Sequence, residues 1–320
     1  MTTAYYDIFN GDADGICALH QLRLAEPRAA TLVTGVKRDI RLLDQVAQVR
    51  GAELTVLDIS LDSNRTALLQ LLESCRVFYV DHHYVGELPS SPNLIAHLDP
   101  SPEVCTSLIV DALLAGRFRA WAVAAAFGDN LHDSARKAAA TLHLAESQVE
   151  RLSELGELMN YNGYGQQVAD LHVSPQALYA AIKPYADPLA FCEEAEILAL
   201  LRQGFADDLQ RARAVTPLRE TPHGRIFAFP AEKWANRIAG VFSNEKAREK
   251  PDAAHALLVD NGDATFMVSV RAPLARRTGA DSLCRAFATG GGRAAAAGIN
   301  ALPVGQAEDF CRKFFEVFTP

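Results

Sequence analysis

The sequence predicts an α/β protein of two parts: a larger N-terminal domain built on a parallel sheet, and a smaller C-terminal α/β domain. Two observations carry this. Over the first 120 residues, short apolar runs alternate with segments of helical periodicity. Successive βα units of that kind build a parallel sheet flanked by helices. After a long helical stretch, strand-like runs return beyond residue 217, and Asn261-Gly262-Asp263 between two of them is a hairpin signal.

Taken in order, the predicted strands of the first part are 4–9, 31–36, 53–58, 76–81 and 94–98. Leu19, Leu22 and Leu24 mark the first intervening helix. Leu42, Leu43, Val46 and Val49 mark the second, and Leu68, Leu69, Leu71 and Leu72 the third. Right-handed crossovers would bring all strand ends to one edge. From Glu103 to Lys183 the pattern is helical, with alanines dense at 121–127 and 138–140, until Pro184 and Pro188 interrupt it. Residues 189–215 read as one amphipathic helix that Thr216-Pro217 ends. Strands are expected at 224–229, 255–260 and 264–270. The division is therefore 1–187, a connecting segment 188–216, and 217–320.

Composition narrows the functional classes. The 320 residues are 49% apolar and 22% charged, ordinary for a globular chain with a sizeable core. A net charge of −8 argues against a long duplex nucleic acid as partner, which needs a basic surface. It leaves room for a short phosphorylated substrate, because bound divalent cations invert the local charge. The cysteines at 17, 75, 105, 192, 284 and 311 form no C-x-x-C pair, so neither a zinc site nor a disulfide framework is indicated. No apolar run approaches a membrane span, no leader pattern precedes the first strand, and the expected location is cytoplasmic.

Three strand-like runs deliver metal-type ligands at their C-terminal ends, the edge where open parallel sheets bind ligands. Tyr5–Phe9 leads to Asp12 and Asp14, Leu54–Leu57 to Asp58, and Arg76–Val80 to Asp81-His82-His83. Asp12 and Asp14 at alternate positions suit a metal pair, and Gly15 permits a tight turn. Asp14 equally suits the N-cap of a helix over 15–25. Asp58 suits a bridging carboxylate or a helix-entry residue. Two adjacent histidines after a buried strand point to a metal or phosphate role, with the neighbouring Asp81 fixing a tautomer. Asp129, where an apolar helix stops, reads as a ligand or as a plain loop residue. In the C-terminal part, Gly290, Gly291 and Gly292 expose backbone N–H groups to a phosphate or base, and Arg293 adds a bidentate anion donor. A turn followed by packed alanines is the alternative. Arg271 ends a strand nearby in sequence.

Together these segments resemble the DHH phosphoesterase superfamily, in its nanoRNase or oligoribonuclease-like branch. Asp12-Ala13-Asp14-Gly15, Asp58, Asp81-His82-His83 and Asp129 look like its four motifs. Val268-Ser269-Val270-Arg271 and the glycine run resemble the DHH-associated C-terminal domain with its G-G-G-H-x-x-A-A-G signature. The resemblance implies a Rossmann-like DHH domain, a substrate-binding second domain, and an active site in the cleft between them. It implies two divalent cations, usually Mn²⁺, with Mg²⁺ or another divalent ion as alternatives. Asp12 would bind one cation, Asp14, His82 and Asp129 the other, and Asp58 would bridge. His83 would work beside the substrate phosphate, with Asp81 as its partner or a weak ligand. Arg271 and the glycine loop would hold the substrate's phosphate and terminal nucleotide. Homodimers are frequent among such proteins.

Three positions depart from the pattern. The histidine often found four residues before the first motif aspartate is Ile8, and the aspartate of the exonuclease branch is Asn10, a neutral oxygen donor at best. A weakly held first cation, or one recruited with substrate, is the expectation. The signature histidine is Arg293, whose permanent charge suits a terminal phosphate or a guanine edge. The expected activity is hydrolysis of short oligoribonucleotides or linear dinucleotides such as pGpG to mononucleotides. The alternatives are a 3′,5′-bisphosphonucleotide (pAp) phosphatase, a cyclic dinucleotide phosphodiesterase, and a non-catalytic nucleotide sensor.

Overall fold

The computed structural model describes residues 3–319. They form two compact units that meet in sequence at Gln203 and Gly204, within the segment expected to connect the two parts. That segment is two helices rather than one, broken at the extended residue Ala195. Asp187 caps the first of them through Leu189 N, and Pro188 sits in its first turn, so this proline opens a helix rather than interrupting one.

The first unit carries five strands, β1 (Tyr5–Phe9), β2 (Thr31–Val33), β3 (Glu53–Leu57), β4 (Arg76–Asp81) and β5 (Leu94–Leu98). They pair in the order β2-β1-β3-β4-β5, all parallel. The runs are apolar without strict alternation because helices cover both faces of the sheet. Its helices are α1 (Ala13–Ala25), α2 (Leu61–Leu72), α3 (Thr106–Leu113), α4 (Arg119–Gly128), α5 (His132–Ala140), α6 (Glu146–Gly163), α7 (Pro175–Ile182) and α8 (Pro188–Glu194), followed by α9 (Glu196–Arg213), which runs on into the second unit. On one face, Ile8, Val56 and Tyr79 meet Leu68 and Leu71 of α2 and Leu42 and Leu43 of a short 3₁₀ turn. On the other, α1 meets β1 and β3, and α3 meets β4.

Several local expectations need correction. β2 stops at Val33, not at residue 36, and residues 34–37 are irregular. The segment with the Leu42 periodicity is a 3₁₀ turn over Leu42–Val46. Asp12, not Asp14, is the N-cap of α1, its carboxylate accepting from Asp14 N and Gly15 N. Ser60 caps α2 through Ser63 N.

The second unit carries β6 (Arg219–Thr221), β7 (Gly224–Phe229), β8 (Ala254–Asp260), β9 (Thr265–Arg271), β10 (Gly290–Gly292) and β11 (Ala296–Pro303), with α10 (Lys233–Glu249), α11 (Ala280–Arg285) and α12 (Ala307–Phe318). The sheet order is β10-β11-β9-β8-β7-β6, with β7 and β8 parallel and the other pairs antiparallel. The hairpin signal holds: Gly262 turns at φ 77° between β8 and β9, and its N–H bonds Asp260. Its core joins Val268, Val270, Ile299 and Leu302 to Phe310 and Phe314 of α12. Of the alanine run after the glycines, Ala294 and Ala295 lie in the turn, while Ala296 and Ala297 begin strand β11, where Ala297 packs into the core.

Candidate metal centre

The C-terminal edge of the first sheet gathers the predicted ligands. Asn10, Asp12 and Asp14 follow β1, Asp58 follows β3, Asp81 ends β4 with His82 and His83 next, and Asp129 caps the C-terminus of α4. Gly15 lets the chain turn sharply from β1 into α1, since a Cβ there would lie 2.3 Å from Asn10 O. Asp58 takes a left-handed backbone conformation, φ 58°, which aspartate tolerates better than most residues. Its N–H bonds Val80 O at 3.1 Å, which fixes the end of β3 against β4.

His82 is the hub. Its Nε2 lies 3.5 Å from Asp58 Oδ1, 3.6 Å from Asp129 Oδ2 and 4.0 Å from Asp14 Oδ2. Two overlapping sets, Asp14 with His82 and Asp129, and Asp58 with His82 and His83, each offer ligand atoms within 4.8 Å of one another. Mixed carboxylate and imidazole donors suit a divalent transition ion such as Mn²⁺. The electrostatics agree. Burial, then the nearby charges of Asp14, Asp12, Asp129 and Asp81, push the Asp58 carboxyl well above its ordinary range. Burial and the charge of Asp129 raise Asp14 as well. Carboxylates crowded in this way need a cation to ionise together. Asp81 Oδ2 and Asn10 Oδ1 are buried with no hydrogen-bond partner, a further mark of a site built for positive charge. The residues present fit a divalent cation.

The ligands are held from outside. Thr106 N and Ser107 N, the first N–H groups of α3, each donate to Asp14 at 2.7 Å, and Ser107 Oγ donates to Asp14 O. A helix N-terminus is a natural anchor for a carboxylate. Thr106 Oγ1 donates to Asp58 Oδ1 at 3.2 Å. His83 Nδ1 donates to Asp81 Oδ1 at 2.6 Å. Burial opposes charge on His83, but this bond and the charges of Asp81, Asp14 and Asp12 together outweigh it and hold the imidazole pKa above its ordinary value.

The structure adds a residue that no motif announced. Lys37, in the irregular segment after β2, places its ammonium 2.6 Å from Asp12 Oδ2, 3.2 Å from Asp129 Oδ1 and 2.8 Å from Asn160 Oδ1 of α6. Burial opposes ionisation of Asp12, yet Lys37 outweighs burial and holds that carboxyl below its usual range. Asn10 is buried, and its Nδ2 donates to Lys37 O at 3.2 Å. Thr106, Ser107 and Asn160 were likewise missed, since helix starts and mid-helix asparagines carry no signature on their own.

In the second unit, Arg271 at the end of β9 is half-buried and tethered, its Nε bonding Asn244 Oδ1 at 2.8 Å and its Nη1 bonding Ser269 Oγ. Gly290, Gly291 and Gly292 form edge strand β10 rather than a loop, paired to Ile299, Gly298 and Ala297. A Cβ at Gly290 would strike Cys284 O, whereas Gly291 has open space around it. Arg293 follows in a tight turn closed by Ala296 N to Arg293 O, and it is exposed.

No protein-family model matches the chain, and no curated protein matches it in sequence. Solved structures do match. A DHH-domain member of the s1p family of ribosomal proteins superposes with a TM-score of 0.62 at 12% identity, over 98% of this chain and 86% of its own. The fold is that of the DHH-domain proteins. Exonuclease RecJ bound to manganese gives a TM-score of 0.64 at 13% identity, over 97% of this chain and 89% of its own. The pGpG-specific phosphodiesterase PggH from Vibrio cholerae gives 0.58 at 14% identity, with 98% of each chain covered. In this DHH fold the Asp81-His82-His83 triplet lies at the end of β4, beside the ends of β3 and β5. Among the described residues, no helix is long and apolar enough to cross a membrane.

Proposed function

We propose that this chain is a metal-dependent phosphodiesterase that hydrolyses short oligoribonucleotides or linear dinucleotides such as pGpG to mononucleotides. The observation that carries the reading is the approach of carboxylate oxygens of Asp14, Asp58 and Asp129, from three separate segments, to within 4.0 Å of His82 Nε2 on a fourth. The similarity in fold to RecJ, solved with manganese, and to the pGpG-specific PggH supports both the metal and the substrate class. The acidic charge balance favours a short substrate over a long strand.

Asp14, His82 and Asp129, with Asp58 beside His82, would hold a divalent ion, which would supply Lewis-acid polarisation of a phosphoryl oxygen and offset developing negative charge. The other steps belong to the chain. Asp81 fixes His83 with Nδ1–H engaged, which leaves the Nε2 side of the ring for substrate. With Nδ1 held by Asp81, the Nε2 of His83, when protonated, can donate to a phosphate oxygen or to the departing oxygen. In the second unit, Arg271 is pre-oriented by Asn244 and Ser269, and we assign it, with Gly290–Gly292 and Arg293, to the substrate's phosphate and terminal base.

Purified protein with Mn²⁺ is expected to release mononucleotides from 5′-phosphorylated dinucleotides. Asp58→Ala and His82→Ala are each expected to lower that rate by at least about 100-fold, the scale of losing a metal ligand's chemistry. Unchanged turnover in either variant rules out the site. Rates on pGpG, pAp and cyclic dinucleotides, measured side by side, separate the proposed substrate from a bisphosphonucleotide or a cyclic one.

A further inference from the structure

We propose that the ammonium of Lys37 takes the place of one of the two cations expected at this centre, so that the site binds a single divalent ion per chain. The inference rests on the metal-dependent reading above and refines it.

The positions of the donor atoms carry the argument. An ammonium has three N–H donors. Lys37 faces three oxygens with them: Asp12 Oδ2, Asp129 Oδ1 and Asn160 Oδ1. Asp12, the residue expected to bind the first cation, already has its charge answered by a cation. Its Oδ2 faces Lys37, and its Oδ1 accepts from Asp14 N and Gly15 N as the cap of α1. Neither ligand set that can gather around an ion includes Asp12. Asp129 is divided between the two charges, with Oδ1 on Lys37 and Oδ2 turned toward His82. It therefore bridges the ammonium and the divalent ion, a task usually given to a carboxylate between two metals.

Lys37 is also fixed at its backbone. Its N–H donates to Gly163 O at 2.8 Å, and its C=O accepts from Asn10 Nδ2. Gly163 ends α6 so close to Asp12 that a Cβ there would lie 3.0 Å from the Asp12 Cβ. Asn10 and Ile8 stand where a carboxylate or an imidazole would have helped to hold a first ion. Asn10 uses its amide to secure the lysine, and Ile8 is fully buried in the sheet core. These two departures read from the sequence and the lysine it did not reveal are thus one substitution of charge: a fixed monovalent cation in place of an exchangeable divalent one.

The test counts ions. The full chain is stripped with a chelator, dialysed against Mn²⁺, and analysed for bound manganese and for its electron paramagnetic resonance spectrum. One ion per chain, with the hyperfine pattern of an isolated Mn²⁺, is expected. Two ions per chain, coupled as a pair, overturn the proposal while leaving the metal-dependent reading intact, and no bound ion overturns both. Lys37→Met is expected to raise the count from one to two as Asp12 and Asp129 lose their counter-charge, while Lys37→Arg stays at one. A Lys37→Met protein that still takes one ion with unchanged affinity overturns the proposal. Should that variant fail to fold, the wild-type count decides alone.

Discussion

Thr106 touches the centre at two points with different consequences. Its backbone N–H anchors Asp14, and its hydroxyl bonds Asp58. Thr106→Val keeps the first and removes the second. Groups that orient metal ligands in this way are typically worth 10–100-fold in metal affinity or activity. Thr106→Val is therefore expected to weaken Mn²⁺ binding by roughly 10-fold without unfolding the chain. Isothermal titration with Mn²⁺, alongside a thermal melt, checks this, and wild-type affinity would show that the hydroxyl does not orient Asp58. At this scale the sequence was legible wherever a ligand belonged to a local pattern. Asp12-Ala13-Asp14-Gly15 and Asp81-His82-His83 announce themselves at strand ends. Lys37 did not, because its role depends on Asp129 and Asn160, which lie 92 and 123 residues away along the chain.

Among the elements, α4 and α6 decide how firmly the Asp129 side of the centre is held. The alanines that marked the α4 stretch in the sequence are buried from Ala122 to Ala126, and their small side chains let α6 approach closely. Gly156 of α6 sits where a Cβ would lie 1.9 Å from Ala124 O, a backbone atom with little freedom to move. Gly156→Ala must push the helices apart, and overpacking of this kind typically costs about 1–3 kcal/mol. An unfolding free energy lowered by that amount in chemical denaturation is expected. A more stable variant, as helix propensity alone would give, would mean that the two helices can separate freely. The strands of the first sheet were legible to within a few residues because apolar runs bounded by polar turns leave few alternatives. β11 was not, since its opening residues Ala296, Ala297 and Gly298 carry no period-two pattern and only their pairing with β9 reveals it. The division of 189–215 into two helices was equally hidden, resting on the backbone at Ala195.

Over the whole molecule, each unit buries one histidine away from the centre. His20 bonds Tyr185 O at 2.7 Å, and His255 bonds Lys250 O at 3.1 Å. Burial pushes each pKa down to about 4 from an ordinary 6.5. Between those values the unfolded chain binds protons that the folded chain refuses, so stability falls as pH drops from 6.5 toward 4 and is fully present above 6.5. Each histidine contributes at most about 3 kcal/mol to that loss. Denaturant midpoints at pH 7.5 and pH 5 check the sign, and His20→Gln is expected to flatten the slope. Equal midpoints would show that these imidazoles titrate normally. The two-part α/β plan was legible because it rests on patterns repeated over many residues. Which groups would be buried without charge was not, since burial is a property of the folded chain.

Asp14, Asp58 and Asp129 each bring a carboxylate oxygen within 4.0 Å of His82 Nε2, and the proposed ion binds among these four side chains. A crystal grown with Mn²⁺ and measured for anomalous scattering tests it most directly. A peak within bonding distance of those four side chains is the expected result. A peak found only elsewhere, or four side chains that ligate nothing in a manganese-saturated crystal, would contradict it.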